Sequence, residues 1–412
     1  MAKLNITLDQ DEILLLLSNN PGNAFKKMFQ ESLNSVLKAE STDQLQATPY
    51  ERTEERKDCR NGFRERNLKT RIGTITLNVP RHRNQPFKTM IFENYSRSEA
   101  ALIASMTEMV VNGVSTRKVS QVVTALCGTS YSKSVVSEIC RSLEITVNEF
   151  RNRPLTGTYP FLTLDATYFK VRCNHRVTSK AFMIAYGTNE HGHREILGFD
   201  VYPNESKATW KEFLLSLQKR GLSGTMLATS DAHEGLRNAL STVYPNVSWQ
   251  RCQFHFSKNI SEKAPSKYQA GIRAELHEMF ASATLAEARR RRDSIIQSYA
   301  DVAPSAMECL DDGFDSSMTV MELPKGLRKY FRTSNHIERL NKELKRRSKV
   351  IGIFPNEGSL LRLMGAVLIE RNETIQNTKA IFSPETYRKL LSSDVTAKFV
   401  MIAAEQRRLL AA

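Results

Sequence analysis

Three acidic residues, each in a segment of different character, are the best candidates for chemistry in this sequence. Asp165 lies in the middle of FLTLDATYFKVR, residues 161–172, whose β-branched and aromatic residues predict a largely buried strand. A buried carboxylate needs a partner that compensates its charge. Asp231 follows a short strand predicted over 226–230, and Glu338 lies early in a later helix. These acids are therefore candidate ligands of a shared metal centre.

Carboxylates are the side chains that Mg²⁺ prefers, usually together with water and phosphate oxygens. Two such ions can hold both the attacking and the leaving oxygen of an in-line phosphoryl displacement. Convergence of Asp165, Asp231 and Glu338 would therefore suit metal-dependent phosphoryl transfer.

Each acid also has an ordinary structural explanation. Asp165 could pair with the basic residues later in its own strand, and Asp231 could cap the helix that follows it. Asn335 and Glu338 have the spacing of a helix capping pair. Taken one at a time, the three acids leave these alternatives open.

Helix phase distinguishes Glu338 from its neighbour Glu343. At about 100° per residue, three apolar residues define the buried stripe of this helix: Ile337, Leu340 and Leu344. One flank of the stripe carries three polar residues: Glu338, Asn341 and Lys345. Other faces carry Arg339, Glu343, Arg346 and Arg347. The phase favours Glu338 as the residue that points into a site, and outward arginines suit a phosphate backbone.

Length and charge restrict the class of protein. A chain of 412 residues predicts two or three domains. A net charge of +15 and a pI near 9.5 favour a polyanionic partner. The apolar run at 13–17 is far too short to span a membrane, and the N-terminus does not resemble a signal peptide. Six scattered cysteines without framework spacing favour a reducing cytoplasm.

The N-terminal third reads as a DNA-binding region in three parts. Residues 1–45 predict two helices for packing or oligomerisation, and residues 46–96 form a basic segment with a strand at 72–79. Candidate phosphate contacts in this segment are Arg60, Arg64, Arg66, Arg71, Arg81 and Arg83. The alternative is a solvated basic ribbon.

Residues 97–150 predict three helices, over 98–111, over 116–126 and from Lys133 to Leu143 and onward, which match a helix-turn-helix-like domain. Its candidate DNA contacts are Arg117, Lys118 and Lys133. A plain three-helix packing unit would give the same pattern.

The rest of the chain predicts an α+β or α/β catalytic core. Three antiparallel strands followed by helix, strand, helix and strand over 155–255 have the order of an RNase H-like domain. Residues 256–330 predict an all-helical insertion, the core resumes over 331–376, and 377–412 predict a helical tail. The run at 289–292, four arginines, is either a surface helix face or a nucleic-acid contact.

Six segments together make the sequence similar to a known family: RNGFRERNLKTRIGTITLNVPRHR, NGVSTRKVSQVV, YPFLTLDATYFKVR, RGLSGTMLATSDAHEGL, WQRCQFHFSKN and TSNHIERLNKELKRRSKVIGIFPN. The chain resembles the IS256-type, Mutator-like transposases of bacterial insertion sequences. The resemblance implies a DDE recombinase in which Asp165, Asp231 and Glu338 bind Mg²⁺ or Mn²⁺ and Lys345 is the basic residue that follows.

The same resemblance implies the reaction and the partners. Water and then a DNA 3′-hydroxyl would attack a phosphodiester, without a covalent protein–DNA intermediate. The double-stranded partners would be terminal inverted repeats and target DNA. An oligomer, at least a dimer, would pair two DNA ends in the cytoplasm, in association with the nucleoid.

The segment WQRCQFH contains a Cys-x-x-His motif, Cys252 and His255, that related transposases share. As a zinc site it supplies only half of a tetrahedral set, and His233 or Cys173 would have to complete it. A structural or DNA-positioning role is favoured. Trp249 could stack on a displaced base, but a core tryptophan is the commoner case.

Three rival functions remain at this stage. A domesticated transposase would bind DNA without catalysis, and an RNase H-like nuclease would cleave strands without joining them. A serine or tyrosine recombinase would need a covalent nucleophile with an arginine constellation, and the sequence shows no such motif.

Overall fold

The computed structural model describes residues 22–51, 53, 56–70, 73–89, 100–127, 131–392 and 394–411. They form two compact units, which divide between Ser142 and Leu143. This boundary falls inside the segment 97–150 that the sequence suggests as one domain. The first of the two N-terminal helices, and Arg71, lie outside the described residues. Within the described ranges, no helix combines the length and the apolar character needed to cross a membrane.

The first unit begins with a helix and a two-stranded antiparallel sheet: α1 (Gly22–Leu45), β1 (Arg60–Thr70) and β2 (Gly73–His82). Leu37 of α1 packs against Leu68, Ile75 and Leu77 of the hairpin. Strand β2 matches the predicted strand at 72–79. Strand β1 was not predicted, because most of its side chains are polar and exposed.

Three short helices complete this unit: α2 (Ala100–Val111), α3 (Thr116–Cys127) and α4 (Lys133–Ile139). They enclose a small core that includes Met106, Val119 and Val136. Ser132 caps α4 by accepting a hydrogen bond from the amide of Val135. The prediction that this helix continues past Leu143 is wrong, since a 3₁₀ turn at Cys140–Ser142 ends it.

The second unit contains a five-stranded mixed sheet with strand order β5-β4-β3-β6-β7. The strands are β3 (Phe161–Cys173), β4 (Arg176–Thr188), β5 (Arg194–Tyr202), β6 (Leu227–Ser230) and β7 (Ser248–Arg251). The first three pair antiparallel, whereas β6 and β7 run parallel to β3. The predicted succession of strands and helices over this region is confirmed.

Helices cover both faces of the sheet, so its strands are buried on both sides. On one face, Leu162 and Leu164 pack with Trp210 and Phe213. The helices of this face are α6 (Lys207–Lys219) and α7 (Glu234–Val243). On the other face, the ring of Phe161 stacks on Phe331 with centroids 3.8 Å apart. Side chains alternate along a strand, so Asp165 lies on the same face as Phe161.

The remaining helices are α5 (Leu143–Asn152), α8 (Gln253–Glu262), α9 (Ser266–Phe280), α10 (Leu285–Tyr299), α11 (Pro304–Met318), α12 (Lys325–Phe331), α13 (Asn335–Ser348), α14 (Glu357–Gln376), α15 (Pro384–Leu391) and α16 (Val395–Ala411). Helices α8 to α11 bury a core of their own around Phe256 and Phe314. The last two helices are not a free tail, because Tyr387 of α15 and Phe399 of α16 belong to the same core as Phe161.

Candidate active site

Strand register brings the two aspartates to the same level of neighbouring strands. The last paired residues of β3 and β6 are Thr163 and Thr229. Two residues further along each chain stand Asp165 and Asp231. Neighbouring strands lie about 4.8 Å apart, and Asp231 is close enough to raise the pKa of Asp165.

Asp165 is held from two directions. Its Oδ1 accepts a hydrogen bond from the amide of Ala166 at 2.9 Å, and its Oδ2 accepts one from Nδ2 of Asn341 at 2.7 Å. Burial and, secondarily, the negative charge of Asp231 raise the pKa of Asp165 to about 7. A nearby cation would strongly stabilise the ionised form of a carboxyl group that is buried beside another acid.

Asp231 does not cap the following helix. The residue at the N-cap of α7 is His233, whose amide donates to Oδ1 of Asp231 at 3.3 Å. The starts of α7 and α6 are in close contact, because a Cβ atom on Gly235 would lie 2.8 Å from the amide nitrogen of Lys207. The carboxylate of Asp231 is thus held at the end of β6 beside two helix N-termini.

Glu205, which the sequence analysis did not single out, is a fourth acid at this place. It immediately precedes the capping residue of α6, Ser206. Burial raises the pKa of Glu205, and the charge of Asp231 raises it further. Glu205 in turn raises the pKa of Asp165. The sequence gives no signal for Glu205, because it lies in a loop without hydrophobic periodicity. Only the packing of α6 on α7 places it beside Asp231.

Glu338 lies in the first turn of α13, and its environment differs from that of a capping glutamate. Ser334 is the N-cap of α13 and makes no side-chain capping bond. The Oε1 atom of Glu338 lies 3.4 Å from Nε2 of His255. One turn further along α13 is Asn341, the residue that bonds Asp165. The helix therefore carries Glu338 toward the same place as Asp165.

Glu343 is occupied elsewhere, as helix phase suggested. It pairs with three guanidinium groups, those of Arg346, Arg347 and Arg371. The hydrogen bond from Arg346 is the largest of several contacts that hold the pKa of Glu343 well below its usual range.

Buried oxygen atoms that accept no hydrogen bond favour a cation at this site. Among the described residues, Oε1 of Glu338 and Oδ1 of Asn341 are buried and accept no hydrogen bond. Buried polar atoms of this kind are rare and call for a ligand or an ion. Together with Asp165 and Asp231 they form an oxygen-rich donor set, which fits Mg²⁺ or Mn²⁺.

The Cys-x-x-His motif lies against this group. One ligand atom each from Cys252, His255 and Glu338 lie within 4.8 Å of one another. Contact with the thiol of Cys252 is the main cause that raises the pKa of His255 to about 9. Cys173 does not complete a zinc site, since its sulfur faces Glu357 at 3.9 Å.

Trp249 is a core residue. It is 5% exposed, its Nε1 donates to Oγ of Ser230 at 2.8 Å, and the guanidinium of Arg237 lies over its ring at 4.5 Å. A base could stack on this ring only if the guanidinium of Arg237 moved away.

The basic residues of α13 differ in exposure. Lys345 and Arg346 are exposed. Arg347 was expected to face outward, which is wrong: its side chain is 3% exposed and pairs with Glu343 and Glu370. Packing of α14 against α13 buries this position, and helix phase alone does not reveal that neighbour.

In the first unit, most of the candidate DNA contacts lie at the surface. Exposed residues are Arg64, Arg81, Arg83, Arg117, Lys118 and Lys133, whereas Arg60 and Arg66 are half-buried. Arg60 is already engaged, since it donates to the carbonyl groups of Ala47 and Thr48. In the second unit, three of the four consecutive arginines of α10 pair with acids: Arg289, Arg291 and Arg292. These pairs favour an ordinary surface face there.

Comparison with known proteins gives a consistent family. The family model described as "Transposase, Mutator family" matches residues 3–378. The chain is 42% identical over 377 residues, 90% of its length and 96% of the relative, to the transposase for insertion sequence element IS256 in transposon Tn4001 of Staphylococcus aureus. It is 38% identical over 359 residues, 87% and 90% of the two chains, to the transposase for ISRM5 of Rhizobium meliloti (strain 1021).

Among solved structures, a chain from the "Mos1 transposase paired-end complex with left transposon end" matches 40% of this chain and 61% of its own length, at 11% identity. The TM-score is 0.15, too low to support a conclusion about the fold. The sequence relatives carry the assignment: with a family match over nearly its whole length and relatives well above 30% identity, this chain belongs to the Mutator family of transposases.

Proposed function

We propose that this chain is a DDE transposase of an insertion sequence, in which Asp165, Asp231 and Glu338 hold the divalent cations. The observation that carries the proposal is the hydrogen bond between Asn341 and Asp165 at 2.7 Å. It joins the strand that carries one acid to the helix that carries another, although the two lie far apart in sequence.

An RNase H-like assignment of the core is part of this proposal. Its support is the sheet order, with three antiparallel strands at one side and two parallel strands at the other. Ligands of α/β sheets gather beyond the carboxyl ends of parallel strands. Asp231 stands at that position on β6.

Two bound Mg²⁺ or Mn²⁺ ions would supply charge neutralisation at the scissile phosphate and polarise the attacking and leaving oxygens. The protein's own task is then to hold the carboxylates in place and to orient the DNA. Asp165 sits on β3, the central strand of the sheet, which is paired on both sides. Lys345, exposed and two turns beyond Glu338, would contact a DNA phosphate beside the site.

The exposed basic residues of the first unit would bind the terminal inverted repeats, and the net charge of +15 suits a DNA partner. Arg346 remains a candidate phosphate contact, whereas Arg347 is too deeply buried to reach a DNA phosphate. Association of two or more copies would bring two DNA ends to one reaction. The cytoplasm, in association with the nucleoid, is the compartment that this function requires.

The test is an assay of donor cleavage and strand transfer with labelled element ends in Mg²⁺, with EDTA as the metal-free control. Asp165→Asn, Asp231→Asn and Glu338→Gln should each lower both steps by about 10²-fold or more while DNA binding persists. Glu373→Gln, at an exposed position of α14, is the control and should leave both steps at the wild-type level. Full strand transfer by any of the three acid variants would overturn the proposal.

Two rival functions give different results in the same assay. An RNase H-like nuclease would cleave the donor but would not join its 3′ ends to a target. A DNA-binding protein without catalysis would retard the element ends in a gel but would yield neither the cleavage product nor the strand-transfer product, in Mg²⁺ or in Mn²⁺.

A further inference from the structure

The start of helix α8 and the start of helix α13 are fastened to each other. The Oγ and the amide of Ser334 both donate to the sulfur of Cys252, at 3.2 and 3.3 Å. Cys252 is fully buried and Ser334 is 1% exposed. Cys252 is the N-cap of α8 and Ser334 is the N-cap of α13. The thiol of Cys252 therefore joins the N-cap residues of two helices, and these two residues are 82 positions apart in the sequence.

Backbone contacts extend this junction. The amide of Gln253 donates to the carbonyl of Arg332 at 3.0 Å. The hydroxyl of Thr229 in β6 donates to the carbonyl of Phe331 at 2.8 Å. The chain that leads into α13 is consequently fixed to the end of β6 and to the start of α8.

One turn into each helix, the two helices contact each other again. His255 follows Cys252 by three residues, and its Nε2 lies 3.4 Å from Oε1 of Glu338. Residues with this spacing share a helix face, so one face of α8 presents the thiol and the imidazole together. The thiol meets the residue that begins α13, and the imidazole meets Glu338.

We propose that the Cys252-x-x-His255 motif is a positioning device for Glu338: Cys252 sets the start of α13 and His255 orients the Glu338 carboxylate. The inference rests on the proposed function, because it assigns the motif a task in the same site. Cys252 and His255 are positioning residues, which act through Glu338 and do not contact the DNA.

A zinc site built from the same three residues is the competing assignment. Two observations stand against it. The sulfur of Cys252 already accepts two hydrogen bonds from Ser334, and the third ligand would be Glu338, whose oxygen is needed by the hard cation. Residues that orient a metal ligand typically change metal affinity or activity by about 10–100-fold when they are removed.

The experiment measures two quantities. One is the Mg²⁺ concentration that gives half-maximal donor cleavage, and the other is the dissociation constant of Mg²⁺, measured by calorimetry without DNA. His255→Gln should raise both values by about 10–100-fold with unchanged affinity for the element ends. Cys252→Ser, which keeps a hydrogen-bond acceptor, should shift them less than Cys252→Ala. His277→Gln is the matched control, since His277 is 75% exposed on α9 and should leave both values at the wild-type level.

Several results would overturn the inference. If His255→Gln titrates with Mg²⁺ like the wild type, His255 does not orient Glu338. If the purified protein contains one equivalent of zinc that His255→Gln loses, the motif is a zinc site. If Cys252→Ala fails to fold, the His255→Gln titration still decides. Full activity of Glu338→Gln would instead refute the proposed function itself, so the two failures are distinguishable.

Discussion

Asn341 donates a hydrogen bond to Asp165 across 2.7 Å, and this bond connects helix α13 to the central strand of the sheet. The oxygen of the same Asn341 amide, Oδ1, is buried without a hydrogen-bond partner among the described residues. One side chain thus steadies one acid and leaves an acceptor free at the site. Asn341 deserves as much experimental scrutiny as the acids themselves.

Asn341→Ala should weaken donor cleavage and metal binding together. Loss of the amide removes the bond that fixes Asp165, and orienting residues of this type are worth about 10–100-fold in metal affinity or activity. The measurement is a Mg²⁺ titration of donor cleavage at constant DNA. Lys342→Ala, an exposed neighbour on the same helix, is the control. An Asn341→Ala protein with the wild-type Mg²⁺ requirement would contradict the assigned role.

Asp165→Asn should stabilise the metal-free protein at high pH. The pKa of Asp165 is raised from 3.8 to about 7 in the folded chain. Between these two pH values the folded protein keeps a proton on Asp165 that the unfolded protein has lost. The carboxyl group therefore costs stability as pH rises from about 4 to 7, and the cost is complete above 7. Thermal unfolding in EDTA should show a higher Tm for Asp165→Asn at pH 8 and almost no gain near pH 4.

The control for this effect is Asp312→Asn, at an exposed position of α11, which should change Tm little at either pH. Adding Mg²⁺ at pH 8 should raise the Tm of the wild type more than that of Asp165→Asn, because the cation compensates the charge that the variant lacks. An equal Tm gain for Asp165→Asn at pH 4 and pH 8 would show that buried charge is not the cause.

Glu205→Gln should raise the Mg²⁺ concentration needed for cleavage. Glu205 adds negative charge beside Asp165 and Asp231, and a site with less negative charge attracts a divalent cation less strongly. We expect a shift of about tenfold, less than for loss of a direct ligand. Glu212→Gln, at an exposed position of the helix α6 that follows Glu205, serves for comparison. A shift of the same size in both variants would mean a general charge effect.

Arg347→Ala and Arg346→Ala should separate folding from DNA binding. Arg347 is buried between Glu343 and Glu370, so Arg347→Ala leaves a cavity and removes a guanidinium partner from both carboxylates, and should lower the free energy of unfolding by about 3 kcal/mol. Arg346 is 61% exposed, and Arg346→Ala should leave stability nearly unchanged and weaken DNA binding at low salt. Denaturant unfolding and gel retardation measure the two effects. Equal stability of the two variants would contradict the observed burial.

Much of the second unit could be predicted from local pattern. The sequence pattern predicts helices over 207–220 and 234–243. Helix α7 has the predicted bounds, Glu234–Val243, and α6 ends one residue earlier than predicted, at Lys219. Both are amphipathic segments between strong turn signals, so their bounds depend on nearby residues. Strand β1 was missed because its exposed, arginine-rich sequence lacks an apolar face, and it becomes a strand only by pairing with β2.

The site shows the same division between local and distant causes. Helix phase places Glu338 and Glu343 on different faces, and their partners do differ, His255 for one and three arginines for the other, because the direction of a side chain on a helix is a local property. It could not reveal that α14 covers Arg347 or that Glu205 lies beside Asp231. Those facts depend on which helices pack together, and no short segment of the sequence contains that information.

The fastening of Gln253 to Arg332 and of Cys252 to Ser334 has a consequence for how such proteins diverge. The helices between these points leave the sheet and return at almost the same place, so the segment is closed at its base. Segments whose two ends are adjacent can grow, shrink or be exchanged without moving the rest of a domain. We therefore expect that the length of the segment between Gln253 and Arg332 can change without displacing Glu338, because the contacts at the base of the segment hold the start of α13.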